Sequence, residues 1–133
     1  MLHVRTAFHM FTPTTTLEQG QASELKACRY LEQQGLVLIE RNYRCRMGEL
    51  DLIMRDHEHL VFVEVRSRNN PNYGNPAETV TKRKQNRLLR AAAYYLQRQR
   101  LNLPCRFDIV AISSVNSEKE CLQWIKDAFQ AHY

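Results

Sequence analysis

The run Leu60-Val-Phe-Val-Glu-Val65 constrains the fold more tightly than any other part of the chain. Successive side chains of a strand point to opposite faces, and here both faces are apolar, with Glu64 the exception. A strand of that kind is central and covered on both sides. The chain must therefore build a sheet with a packed layer on each face, and 133 residues suffice for one such domain.

The remaining pattern supplies the layers. Thr14-Thr15-Thr16 is an N-cap cluster ahead of a helix over 17–34, with the stripe Ala22, Leu25, Cys28 and Leu31 and a stop at Gly35. Val37-Leu38-Ile39 begins a strand running toward Arg44, Met47-Gly48 marks a turn, and 49–54 alternates as a second strand. Asp56 to His59 is a polar turn into the apolar strand of 60–67, giving an antiparallel meander. The stretch 68–76, with Asn69-Asn70-Pro71 and Tyr73-Gly74-Asn75-Pro76, reads as a loop. Tyr73 could stack there on a base or cap the core.

A second helix over about 80–100 buries Leu88, Leu89, Ala92, Tyr95 and Leu96. Beyond Pro104, 106–112 reads as a strand, 113–119 as a loop, and 121–129 as either a short strand or a terminal helical turn. The order is that of an α/β or α+β sandwich. Residues 1–16 read as an N-terminal extension to a single domain of 17–133.

Two acids stand out. By alternation Glu49, Asp51 and Ile53 share one face, with Leu50, Leu52 and Met54 opposite; on the next strand Phe62, Glu64 and Arg66 share a face. Pairing about the 56–59 turn brings Asp51 beside Glu64. An ordinary ion-pair network on a solvated sheet also fits this spacing, but a strand apolar on both faces argues against solvation. Carboxylates among Val, Leu and Phe need a compensating partner, and close carboxylates repel unless a cation intervenes. Hard oxygen donors suit Mg²⁺ or Mn²⁺.

Charge points to polyanions. The net charge is +5, and no acid occurs between Glu78 and Asp108, a stretch that holds Lys82, Arg83, Lys84, Arg87 and Arg90. With Arg66 and Arg68 these form a candidate phosphate-tracking rim, since a purely solvated helix face usually mixes signs. Cys28, Cys45, Cys105 and Cys121 have no zinc spacing and read as buried thiols of a cytoplasmic protein. No apolar run is long enough to span a bilayer, and no glycine-rich phosphate loop is present. His57 and His59 read as a hairpin tip, and Ser113 and Ser114 have no evident catalytic partner.

Gly48-Glu-Leu-Asp-Leu-Ile53 followed by Leu60-Val-Phe-Val-Glu-Val-Arg-Ser-Arg68 resembles the uncharacterised bacterial YraN family, the UPF0102 group. Arg41-Asn42-Tyr43-Arg44, Thr81-Lys-Arg-Lys-Gln85 and Arg106-Phe-Asp-Ile-Val110 extend the match over about 17–129. That family resembles the archaeal Holliday-junction resolvases of the PD-(D/E)xK nuclease superfamily. The resemblance implies a restriction-endonuclease-like mixed sheet flanked by helices, and a Mg²⁺- or Mn²⁺-dependent DNA endonuclease selective for branched DNA. It implies Asp51 and Glu64 as metal-binding acids with the Val65 carbonyl as a further ligand. It also implies Glu24 as accessory acid, Gln85 as a polar residue from the following helix, and a homodimer by analogy with junction cutters. The superfamily's lysine position holds Arg66, which cannot act as a general base but can orient water or stabilise phosphate charge. The alternatives are a non-catalytic nucleic-acid-binding module on the same fold and a protein-interaction subunit.

Overall fold

The computed structural model describes residues 16–68, 80–116 and 119–131. Its elements are α1 (Thr16–Gln33), β1 (Val37–Cys45), β2 (Gly48–Asp56), β3 (His59–Arg68), α2 (Lys82–Gln99), β4 (Cys105–Asn116) and β5 (Lys119–Phe129). The strands form one sheet in the order β1-β2-β3-β4-β5. All neighbours are antiparallel except β3 and β4, which run parallel and are joined through α2. Among the described residues this is a five-stranded mixed sheet with two helices, an α/β fold of restriction-endonuclease-like layout. No described helix is long and apolar enough to cross a membrane.

Each face of the sheet has its own core. Ala27, Cys28 and Leu31 of α1 pack on Leu52, Met54, Val61, Val63, Val110 and Ile112. Leu88, Ala91, Ala92 and Tyr95 of α2 pack on Ile53, Leu60, Phe62, Phe107 and Ile109. The central strand is thus covered on both sides, as its apolar run requires. Leu89 and Leu96, expected in the core, sit half-buried at its margin.

Both helices end by recognisable chemistry. At the C-terminus of α1, Leu36 donates to the Leu31 carbonyl (3.0 Å) across Gly35, whose φ of 100° suits glycine. Thr81 caps α2, its hydroxyl accepting from Lys84 N–H at 3.2 Å. Arg100 closes α2 in the left-handed conformation, φ 54°.

Two expectations are corrected and one open alternative is settled. The 113–119 stretch is not simply a loop: β4 runs on to Asn116, held extended by pairing of Ser113 with Cys121 and Asn116 with Lys119. Local polarity suggests a loop, but a cross-strand partner overrides weak propensity. The ambiguous C-terminal element is a strand, with Leu122 and Trp124 packed toward α1 and Phe129 toward α2. Finally, Leu50 faces α2 with Ile53, and does not share the face of Leu52 and Met54. The slip falls at Asp51, between the Leu52 that pairs with Arg41 and the Leu50 that pairs with Tyr43.

The cysteines are all free, but only Cys28 is buried; Cys105 and Cys121 are exposed. Tyr73 and the rest of 69–79, like the extension up to residue 15, lie outside the described residues.

Candidate functional site

The hairpin of β2 and β3 closes on a two-residue turn, His57-Glu58, and its register runs from Asp56↔His59 to Leu52↔Val63. The next step would pair Asp51 with Glu64, and there the ladder stops. The Asp51 Oδ2 instead accepts the Val65 N–H at 2.9 Å, so a carboxylate stands where a backbone carbonyl would otherwise be. The strands part at this point, and both acids enter the gap.

Burial and repulsion dominate the electrostatics. Asp51's carboxyl is pushed up from 3.8 to about 8, first by burial and then by the charge of Glu64, to which it is also hydrogen-bonded; the Val65 N–H pulls the other way. At neutral pH the Asp51 carboxyl therefore holds its proton. Glu64 is only 4% exposed, yet it is balanced. The Lys84 Nζ lies 2.8 Å and the Arg66 Nη1 3.6 Å from its Oε2.

Glu24 reaches the same neighbourhood from α1. Burial, then Glu49 and, more weakly, Glu64 raise its carboxyl, while Arg41 and a hydrogen bond from the Asn42 side chain lower it. Its Oε1 is buried and has no hydrogen-bond partner. Glu49 lies at the edge, 3.6 Å from Arg44.

Other expected residues stand elsewhere. Gln85 donates its amide to the Val80 carbonyl at 3.0 Å and lines a groove beside α2. Lys82, Arg83 and Arg87 are exposed on α2, and Arg68 closes β3 half-buried. His57 is at the hairpin tip, 3.9 Å from Asp56.

Lys84 was foreseen as part of the basic rim, not as the partner of Glu64. The Thr81 cap fixes the first turn of α2 and aims Lys84 at β3, and a capping threonine ahead of Lys84 is the signal that could have placed it. Asn42 was missed as well: its left-handed backbone and its bond to Glu24 are invisible in strand alternation.

The donor set is hard oxygen throughout. A buried Asp51 that holds its proton against the charge of Glu64, and a buried Glu24 oxygen left without a partner, are conditions that a divalent cation relieves. Among the described residues no three His, Cys, Asp or Glu side chains gather closely enough to hold an ion alone. A cation such as Mg²⁺ or Mn²⁺, which takes one or two carboxylates and completes its shell with water and substrate, would need no third acid here.

A second buried acid has a structural role. Asp108, fully buried, accepts from Arg106 Nε and Nη2, Trp124 Nε1 and the Asp127 backbone N–H, each at 2.9 Å. Asp127 lies where β5 bulges against β4, at φ 53°, and Asp108 receives the N–H that the bulge leaves without a ladder partner. Arg106 also holds Asp56 at 3.0 Å, tying the β2–β3 hairpin to β4.

The sequence model of the uncharacterised protein family UPF0102 matches residues 23–112. A UPF0102 protein of Nitrosococcus oceani is 47% identical over 120 residues, covering 89% of this chain and 96% of that one. One from Alkalilimnicola ehrlichii is 50% identical over 121 residues (90% and 92%), and one from Pseudomonas putida is 44% identical over 123 (91% and 99%).

Proposed function

Because the chain belongs to the uncharacterised family UPF0102, and its buried Asp51 holds a proton beside a Glu64 that is paired with a lysine, we propose that it is a metal-dependent DNA endonuclease of the PD-(D/E)xK type, acting on branched DNA. The observation that carries this reading is the Asp51–Glu64 pair in the gap where β2 leaves β3.

Asp51, Glu64 and the Val65 carbonyl would hold Mg²⁺ or Mn²⁺. Such an ion polarises a phosphodiester and lowers the pKa of bound water. The residues do the rest. With Glu64 engaged by the ion, the Lys84 ammonium that now pairs with it would be released to meet a substrate phosphate. Arg66, always protonated, donates to non-bridging phosphate oxygens and stabilises the charge that grows there. The Glu24 oxygen accepts from the attacking water and orients it. Gln85, with one amide hydrogen engaged by Val80, retains its carbonyl and second hydrogen to meet the substrate from the groove side of α2. Lys82, Arg83 and Arg87, with Arg68, hold the backbone by charge and not by reading bases.

The test is incubation of pure protein with junction, flap, duplex and single-stranded DNA in Mg²⁺ or Mn²⁺, beside Asp51→Asn and Glu64→Gln. Cleavage lost in both variants supports the assignment; cleavage that persists in both removes these acids from the chemistry.

The Lys84–Glu64 ion pair favours a second reading, in which an internal ammonium takes the place of the metal and the protein binds nucleic acid without cutting it. That reading expects salt-dependent binding, indifferent to divalent ions and intact in Asp51→Asn.

A further inference from the structure

On the α2 side of the sheet a cavity of about 860 Å³ runs between α2 and the ends of β4 and β5. That volume falls in the range of sites that enclose a small ligand. Its floor is apolar. Phe62 stacks on Phe107 (centroids 5.3 Å, 28° between planes) and Phe107 on Phe129 (4.9 Å, 25°), and the half-buried Phe129 ends the ladder at the cavity. Leu89 and Leu96, left at the margin of the core, face the same space.

The rim is of opposite character. Lys82, Gln85, Asn86 and Arg90 border it from α2, three of them exposed, and Asp127 and Gln130 border it from β5 and the residues after it. The groove also adjoins the acids. Phe62 precedes Glu64 by two residues on the same face of β3, a spacing of roughly 7 Å along the strand. Lys84, the partner of Glu64, neighbours Gln85 on α2.

A flat aromatic and aliphatic floor, beneath a rim with two cations and two amides on α2 and an Asp127 held by Gln130 across from them, matches an unpaired nucleotide: a ring to stack, an edge to hydrogen-bond and a phosphate to neutralise on the α2 side. A paired duplex is too wide and stiff to enter, and an apolar peptide would have no use for Lys82 and Arg90. We infer that this groove receives an unpaired nucleotide adjacent to the acids, its base against Phe129 and Leu89, its edge met by Asn86, its phosphate by Lys82 and Arg90. This rests on the nucleic-acid reading above and narrows it: the substrate is DNA with an extrahelical or single-stranded base next to the cut, not continuous duplex.

Binding in Ca²⁺ buffer tests the inference without cleavage. The probes are a duplex with a single 2-aminopurine bulge and the fully paired duplex of equal length. The bulged probe should bind about tenfold tighter, with a change in 2-aminopurine emission as the base changes stacking partner. Phe129→Ala, and Ala93→Glu at an exposed position lining the groove, should each bring the ratio near one while circular dichroism stays native. Unchanged ratios in both variants overturn the inference alone. Sedimentation in which Ala93→Glu dissociates a dimer and leaves the ratio unchanged assigns the groove to a second copy and also overturns it. Failure of the wild type to bind either probe removes the nucleic-acid reading with it. A bulge preference without cleavage in Mg²⁺ leaves the inference standing and removes only the nuclease.

Discussion

Lys84 is where a single residue decides most. Its ammonium lies on an almost fully buried carboxylate, in a chain whose other nearby cation, Arg66, cannot give up a proton. Lys84→Ala should lower cleavage about a hundredfold, as loss of one preorganised donor does elsewhere, while weakening DNA binding little. Lys84→Arg should recover part of that, because charge without the same point geometry is a partial substitute; equal cleavage by Lys84→Ala and wild type would put Lys84 back on the rim. Asp51 yields a pH prediction. Its folded value of about 8 exceeds the unfolded 3.8, so folding takes up a proton throughout that interval. The stability it contributes is fully present below about pH 4 and is lost as pH rises toward 8. In metal-free buffer the melting temperature of Asp51→Asn should therefore gain on that of wild type as pH climbs, with Glu64, Glu24 and Lys84 the charged groups that shape the slope. Mg²⁺ should close the gap by stabilising the wild type, because it takes the site of the proton; parallel melting curves across the range would refute the raised Asp51 carboxyl. Asp51 and Glu64 were legible in sequence because strand period and a two-residue turn fix what lies opposite what. Lys84 was legible only as charge, since which helix position meets a strand depends on docking.

Among the elements, α2 links fold to site through its first turn. Thr81→Ala removes the cap on the Lys84 N–H and should cost about 1 kcal/mol of stability, read as a lower midpoint in urea with unchanged slope. It should also lower cleavage more than that loss of stability explains, because the same turn aims Lys84; Thr81→Ser should restore both. Boundaries of both helices and of β1–β3 could be read from sequence because periodicity and punctuation agree there. The end of β4 could not, because Ser113 and its neighbours are polar and are extended only by their partner strand. The bulge in β5 was equally hidden: it depends on Asp108, sixteen to nineteen residues away from the groups it accepts in that strand.

At the scale of the whole molecule, the sequence's acid-free stretch becomes one exposed edge of α2 beside the acids, so binding should be strongly salt-dependent. The triple variant Lys82→Ala/Arg83→Ala/Arg87→Ala should lower the slope of log K against log salt by about two to three, measured by anisotropy on duplex DNA. An unchanged slope would move the nucleic-acid surface off this helix. The two-layer covering of the sheet was legible from one apolar strand, whereas the groove was not, because Leu89, Leu96 and Phe129 look like core until the sheet edge leaves them half-buried. The parallel pairing of β3 with β4 has a further consequence. Glu24, Asp51 and Glu64 all precede the crossover, and Lys84 rides on it. Parallel neighbours meet only after a long connection has closed, and long closures are slow. In kinetic terms, the Lys84 countercharge arrives with the slowest closure of the sheet, and until then Glu64 has Arg66 of its own strand as its cation.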